Sequence, residues 1–150
     1  MEIGLIGMGK MGSNMAGRLL DGGHTCVVFD RHPEKAKHLI DEGARGTSSL
    51  DELVAALRPP RAVWMMITAG DPTETIAGAL AERMEADDVI IDGGNSYFKD
   101  DVRRAKAVGK KGIHYVDVGT SGGVWGRDRG YCLMIGGEAD IIERLDPIFR

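Results

Sequence analysis

Apolar and polar positions alternate along this chain in two registers. Short apolar runs recur, and between them lie longer stretches whose apolar residues return every three or four positions. The first run, Glu2–Ile6, leads into a glycine-rich turn. Met11, Met15, Ala16, Leu19 and Leu20 follow at the spacing of a helix that buries one face. Gly22-Gly23 ends that helix, and Thr25–Phe29 predicts a second strand closing on Asp30. Pro33 opens a second helix that Gly43 closes, before a short third strand over Ala44–Thr47. Ser49 with Glu52 forms a capping box for a helix over Leu50–Leu57. Beyond Pro59-Pro60 the pattern predicts a buried strand over Ala62–Ile67, a helix from Pro72 to about Met84 and a strand over Val89–Ile91. A charged helix over about Lys99–Val108, a strand over Ile113–Val118, a glycine-rich loop, a strand over Tyr131–Ile135 and a helix from near Ala139 complete the chain. Strands alternating with helices describe a mostly parallel sheet covered on both faces, a doubly wound three-layer α/β/α fold. No linker or repeat divides it, so residues 1–150 read as one domain.

Composition changes this picture in one respect. Hydrophobic residues at 43% and charged residues at 28% are ordinary for a globular domain of 150 residues and argue against disorder. Glycine, at 22 residues, stands well above common usage without a collagen period, and it clusters between apolar runs where backbone must turn tightly or approach a ligand. A net charge of −4 excludes the basic footprint of a nucleic-acid partner. The longest apolar stretch, Ala62–Ile67, is too short to span a bilayer, and Glu2 and Gly4 interrupt any leader-like segment, so a cytoplasmic protein with no membrane contact is expected. Cys26 and Cys132 each sit inside an apolar run and read as buried reduced thiols. His24, His32, His38 and His114 lack metal-ligand spacing, and no metal is assigned.

The candidate chemistry begins at Gly7-Met8-Gly9-Lys10-Met11-Gly12, a Gly-x-Gly-x-x-Gly directly after the first strand and opening the first helix. Gly7 allows the tight turn, Gly9 lets backbone reach a pyrophosphate, and Gly12 lets helix and strand pack closely. The helix N-terminus offers unpaired N–H groups to phosphate. Asp30 closes the second strand about twenty residues further on, where a carboxylate accepts from the ribose hydroxyls. That carboxylate repels a 2′-phosphate and favours NAD. Arg31 could pair with such a phosphate or stack over the adenine, which keeps NADP open.

Two further clusters follow strands, on the edge where an open α/β sheet binds ligands. In Asp92-Gly93-Gly94-Asn95-Ser96, Asn95 offers both a donor and an acceptor. In Gly119-Thr120-Ser121-Gly122-Gly123, a loop can present a hydroxyl and backbone N–H groups to an anion. Either cluster alone reads first as a plain turn, and two of them on the same edge weaken that reading. Tyr97, Phe98 and Trp125 read as packing residues.

Taken together, Gly4-Leu5-Ile6-Gly7-Met8-Gly9-Lys10-Met11-Gly12, Asp92-Gly93-Gly94-Asn95-Ser96, and Ser121-Gly122-Gly123 with Gly136-Gly137 beyond closely resemble the 6-phosphogluconate dehydrogenases of the β-hydroxyacid dehydrogenase superfamily, in order and over the whole chain. The resemblance implies a Rossmann-type domain in which Asn95, the catalytic residue of this stretch, contacts a substrate hydroxyl and the nicotinamide. It implies that Ser121, Gly122 and Gly123, with Asn95, hold the sugar acid, and that Met66, Ile67, Thr68 and Ala69 line the cofactor. The family reaction oxidises 6-phosphogluconate at C3, releases carbon dioxide from the 3-keto acid and protonates the enediol to ribulose 5-phosphate. Asp30-Arg31-His32 stands where long-form members carry Asn-Arg-Thr, and Val124-Trp125-Gly126 where they carry an acidic residue. Both departures resemble a shorter, NAD-preferring branch. The family's catalytic lysine and all-helical substrate domain have no counterpart in this chain, since Lys10, Lys99, Lys106, Lys110 and Lys111 all stand in other contexts. The resemblance therefore implies a cofactor-binding domain, inactive alone, of a longer homo-oligomeric enzyme. Another β-hydroxyacid dehydrogenase of the 3-hydroxyisobutyrate kind and a non-catalytic dinucleotide-binding module are the alternatives.

Overall fold

The computed structural model describes residues 1–150, the side chain of Val124 lying outside the described residues. Among the described residues seven strands pair into one sheet: β1 (Glu2–Ile6), β2 (Thr25–Phe29), β3 (Arg45–Gly46), β4 (Ala62–Met65), β5 (Val89–Asp92), β6 (His114–Ser121) and β7 (Cys132–Gly136). Their order is β3-β2-β1-β4-β5-β6-β7, parallel throughout except for β7, which runs antiparallel to β6. The connecting helices are α1 (Lys10–Asp21), α2 (Lys37–Asp41), α3 (Leu50–Ala56), α4 (Asp71–Ala81), α5 (Phe98–Gly109), α6 (Gly126–Arg129) and α7 (Ala139–Phe149).

Both faces of the parallel strands are covered, which is why the strands read as nearly continuous apolar runs. Ile3, Leu5, Val28, Trp64, Ile91 and Val116 point to one face and pack under Met15, Ala16 and Leu19 of α1 and Leu145 and Ile148 of α7. Ile6, Val27, Val63, Met65, Ile90 and Tyr115 point to the other, under Leu53, Leu80 and Val108 from α3, α4 and α5. The doubly wound, three-layer architecture follows from this division. Helix α1 stops as its glycines predict: Gly23 takes φ +80°, and the His24 N–H closes onto the Leu19 carbonyl at 3.0 Å. No helix among the described residues is long and apolar enough to cross a membrane.

Several local expectations change. The helix expected between Pro33 and Gly43 is a 3₁₀ turn over Pro33–Lys35 followed by the short α2, because Ala36 and Leu39 are the buried apolar residues there and supply little face to extend. Strand β4 ends at Met65 and α4 at Ala81. The Ser49 hydroxyl accepts from the Glu52 N–H at 3.1 Å as a cap should, but the Glu52 carboxylate reaches back to the N–H and hydroxyl of Ser48 instead of to Ser49. Gly119, Thr120 and Ser121 are not loop: they continue β6, and their backbone is held by pairing with Met134, Leu133 and Cys132 of β7. Pairing with β7 carries the strand through Ser121, so the loop proper begins at Gly122, and α6 follows it.

Cys26 is buried, and burial pushes its thiol up to about 11; Cys132, by contrast, is exposed on edge strand β7, where only alternate residues face the core. Tyr97, Phe98 and Trp125 are exposed too, at 57%, 59% and 62%, since they precede or open helices beyond the sheet edge. Tyr97 and Phe98 pack edge-to-face on each other, and the Arg129 guanidinium lies over the Trp125 ring.

Candidate functional site

Between β1 and β4 the strand order reverses direction, and the chain leaves these neighbours toward opposite faces of the sheet. Such a switch point opens a crevice at the carboxyl ends of the strands. A cleft of about 560 Å³ lies there, walled by Gly7 and Gly9 after β1, by Phe29, Asp30 and Arg31 at the end of β2, and by Met66, Ile67 and Thr68 after β4. The Met66 N–H donates to the Ile6 carbonyl at 2.7 Å and the Gly7 N–H to the Phe29 carbonyl at 3.0 Å, so all three walls are stitched together by backbone.

The three glycines of the loop do different work. Gly7 has φ +93°, and a Cβ on it would collide with the Met66 carbonyl. A Cβ on Gly12 would collide with the Gly7 carbonyl, which holds α1 against the loop. At Gly9 a Cβ would meet nothing within 4 Å, because the space in front of it is open. The first helical bond of α1 runs from the Ser13 N–H to the Gly9 carbonyl at 2.8 Å, leaving the N–H groups of Lys10, Met11 and Gly12 without an intrahelical acceptor. Open space faced by backbone donors at the positive end of a helix suits a phosphate.

Asp30 closes the second side. It is 9% exposed, and its carboxylate accepts from the Met8 N–H at 2.7 Å and from the His32 N–H at 2.8 Å. These bonds tie the glycine loop to the end of β2 and orient the carboxylate. Each oxygen retains a lone pair for a ribose hydroxyl. Arg31 and Lys35 line the same end of the cleft, beside a floor that includes Thr75 and Ile76. Lys35, Thr75 and Ile76 escaped the motif reading, and only the position of Lys35, soon after the acidic end of β2, could have pointed to one of them. These residues fit a dinucleotide: an acceptor for the ribose, donors for the pyrophosphate, and apolar walls on both sides.

Asn95 and the Ser121–Gly123 segment come together a short way along the same edge. Asn95 sits at φ +54°, its side-chain oxygen accepts from the Thr120 N–H at 3.0 Å, and its Nδ2 donates to the Thr120 carbonyl at 3.4 Å. That pair of bonds fastens the turn after β5 to the end of β6, beside Ser121, Gly122 and Gly123, all three exposed. Of the other residues singled out, Met8 and Gly12 are buried behind the glycine loop, Met11 is half-buried, and Lys10 and Ala69 are exposed. A second hollow of about 510 Å³, between α1, α6 and α7, is lined by Arg18, Arg127 and Arg129 and by none of the candidate cofactor- or substrate-binding residues.

A largely parallel sheet with this glycine loop at its switch point and a carboxylate closing β2 defines a dinucleotide-binding domain of the Rossmann type. More narrowly, residues 2–150 match the NAD binding domain of 6-phosphogluconate dehydrogenase, and the chain belongs to that family. It is 40% identical over 149 residues to the NAD(+)-dependent, decarboxylating 6-phosphogluconate dehydrogenase of Haloferax volcanii, covering 99% of this chain and 49% of that protein. It is 36% identical over 153 residues to the NADP(+)-dependent enzyme of Bacillus subtilis, covering 99% of this chain and 33% of that one. The solved 6-phosphogluconate dehydrogenase of Plasmodium falciparum superposes with a TM-score of 0.92 at 30% identity, over 99% of this chain and 33% of its own. A Mycobacterium tuberculosis 3-hydroxyisobutyrate dehydrogenase superposes at 0.90 with 24% identity, over 99% of this chain and 50% of its own, a likeness of fold alone. The chain thus spans about half the length, or less, of the relatives it matches.

Proposed function

We propose that this chain is the cofactor-binding part of a decarboxylating dehydrogenase that oxidises 6-phosphogluconate to ribulose 5-phosphate, with NAD preferred over NADP. The observation that carries the reading is the Asn95 bridge to Thr120, which joins the two glycine clusters of the family's substrate site beside the dinucleotide cleft. Held in this cleft, a nicotinamide cofactor would supply the hydride acceptor for the substrate's C3. The protein's own residues hold both reactants for that event. The α1 N-terminus and the open face of Gly9 receive the pyrophosphate, Asp30 receives the adenosine ribose, and Met66–Ala69 form the wall along which the cofactor extends. Asn95 keeps one N–H for the substrate hydroxyl or the nicotinamide amide. Gly122 and Gly123, with the Ser121 hydroxyl, hold the sugar acid.

The proton acceptor is a separate matter. Lys99 is exposed over the Tyr97 ring, Lys111 donates to the Ala81 carbonyl, and Lys10, Lys106 and Lys110 are exposed. None of these five hydrogen-bonds the Asn95 turn, Lys35 stands at the Asp30 end of the cleft and Lys37 opens α2 beyond it, which supports a base supplied from elsewhere in a longer homo-oligomeric cytoplasmic enzyme. Calorimetric titration of this chain with NAD and NADP, followed by nicotinamide reduction at saturating 6-phosphogluconate, tests the reading. The expected outcome is cofactor binding with NAD tighter and no measurable reduction. Equal or tighter NADP binding refutes the preference. Cofactor reduction lost on Lys99→Ala refutes the placement of the base.

A further inference from the structure

Behind Asn95 lies a buried charged network that the cofactor cleft does not explain. Asp92, the last residue of β5, is fully buried, and its two oxygens bracket Asn95. Oδ1 accepts from the Gly94 N–H at 2.9 Å, and Oδ2 accepts from the Ser96 hydroxyl at 2.7 Å. Oδ2 also accepts from the Tyr115 hydroxyl of β6 at 2.9 Å and lies 3.6 Å from Nη1 of Arg104 on α5. The same Arg104 nitrogen donates to Oδ1 of Asp101 at 3.0 Å, and the Tyr115 hydroxyl stands 3.5 Å from that oxygen. Asp101, one helical turn before Arg104, is 4% exposed, and its Oδ2 is buried without a hydrogen-bond partner. Arg104 is held from its far side by Glu74 of α4 at 2.9 Å, and Glu74 is shared with Arg103. Asp117, also on β6, adds its negative potential at Asp101.

We propose that Asp92 is a positioning residue for Asn95, held in place by the Tyr115 and Arg104 donors for which it competes with the buried Asp101 carboxyl. The proposal rests on the reading that Asn95 meets the nicotinamide and substrate. Three observations support it. Asn95 occupies a left-handed conformation that a non-glycine residue keeps only when its neighbours are fixed, and Asp92 fixes the residues on both sides of it. The turn also rests directly on the cofactor wall, since a Cβ on Gly93 would collide with Trp64 Nε1 and with the Met66 sulfur. Finally, two ionised carboxylates against one guanidinium leave a net buried charge, which one proton removes. Burial first, and then the Asp92 carboxylate and Asp117, raise the Asp101 carboxyl to about 7 against the lowering effect of Arg104. Once that proton leaves, Asp101 draws Tyr115 and Arg104 toward itself and loosens their hold on Asp92, and with it the turn.

The test separates the nicotinamide end from the rest of the cofactor. ADP-ribose carries the groups that meet the glycine loop and Asp30 but lacks the nicotinamide, so the ratio of NADH to ADP-ribose affinity reads the Asn95 end. For the unaltered chain this ratio is expected to fall about threefold between about pH 6 and pH 8.5, with ADP-ribose affinity nearly constant over the same range. Asp101→Asn flattens the ratio with pH. Ser96→Ala, which removes one bond and no charge, lowers it at every pH. In the ligand-free chain the Asn95 side-chain amide resonances titrate in the neutral range, and that titration disappears in Asp101→Asn. A merely structural Asp101 would shift stability without moving those resonances. PH-independent Asn95 resonances, or an unchanged affinity ratio in both Ser96→Ala and Asp101→Asn, overturn the proposal. Asn95→Ala serves as the reference: if it leaves the ratio unchanged, the reading of Asn95 itself fails. If it lowers the ratio while the other two variants do not, the positioning by Asp92 alone fails.

Discussion

The two halves of this site are built on opposite principles. The glycine loop with Asp30 is made of backbone: consecutive residues after one strand, a helix N-terminus, and a carboxylate held by two main-chain N–H groups. The Asn95 turn is made of side chains drawn from β5, β6 and α5, with a further anchor on α4. Backbone donors do not titrate and are lost only when atoms are put in their way. A side-chain network can be taken apart one group at a time, and it responds to pH. On the proposed reading, one protein presents an end built of backbone and an adjustable end built of side chains to the same extended ligand.

The strongest way to break the comparison is to fill the rigid half. Gly12→Val sets a branched side chain against the Gly7 carbonyl, and destabilisation of about 3 kcal/mol or more is expected in urea denaturation, with cofactor affinity lost as a consequence of misfolding. Gly9→Val is its counterpart. The side chain enters open space, so stability stays within about 0.5 kcal/mol of the parent while dinucleotide affinity drops about a hundredfold or more. A folded Gly9→Val chain that still binds NADH would mean that the loop is only a turn.

A charge change at the same end comes next. Asp30→Asn removes the repulsion toward a 2′-phosphate while keeping an acceptor, and the expected preference for NAD of about tenfold should shrink to about twofold in paired titrations. At the adjustable end the effect is smaller and carries a sign. The Asp101 carboxyl titrates higher in the folded chain than in the unfolded one, so the folded state holds the extra proton between the ordinary carboxylate range and about 7. Stability therefore falls as pH rises through that window and levels off above it. Asp101→Asn should remove that slope, its advantage over the parent growing from acidic to mildly basic pH in urea titrations. The smallest expected change is a control on both halves. Ser49→Ala removes the α3 cap at a cost of about 1 kcal/mol, with NADH and ADP-ribose affinities unchanged.

By itself the sequence determined whatever depends on neighbours in the chain. The apolar runs specified the strands, and the Gly-x-Gly-x-x-Gly with Asp30 specified the rigid half of the site, because its geometry is a turn, a helix start and a strand end in succession. Residue chemistry placed Asn95 and Ser121–Gly123 as separate candidates, and the family resemblance put them in one substrate site. Their joining through Thr120, the continuation of β6 through Gly119–Ser121 by antiparallel pairing, the exposure of Cys132 and Trp125, and the burial of Asp92 and Asp101 were decided only by the tertiary structure. Asp101 reads in the sequence as an ordinary charge in the first turn of a polar helix. Only the packing of α5 against β6 and α4 takes it out of water and sets it beside Asp92 and Arg104. Burial and the proximity of charges are long-range properties, and they depend on which surfaces meet rather than on which residues follow one another.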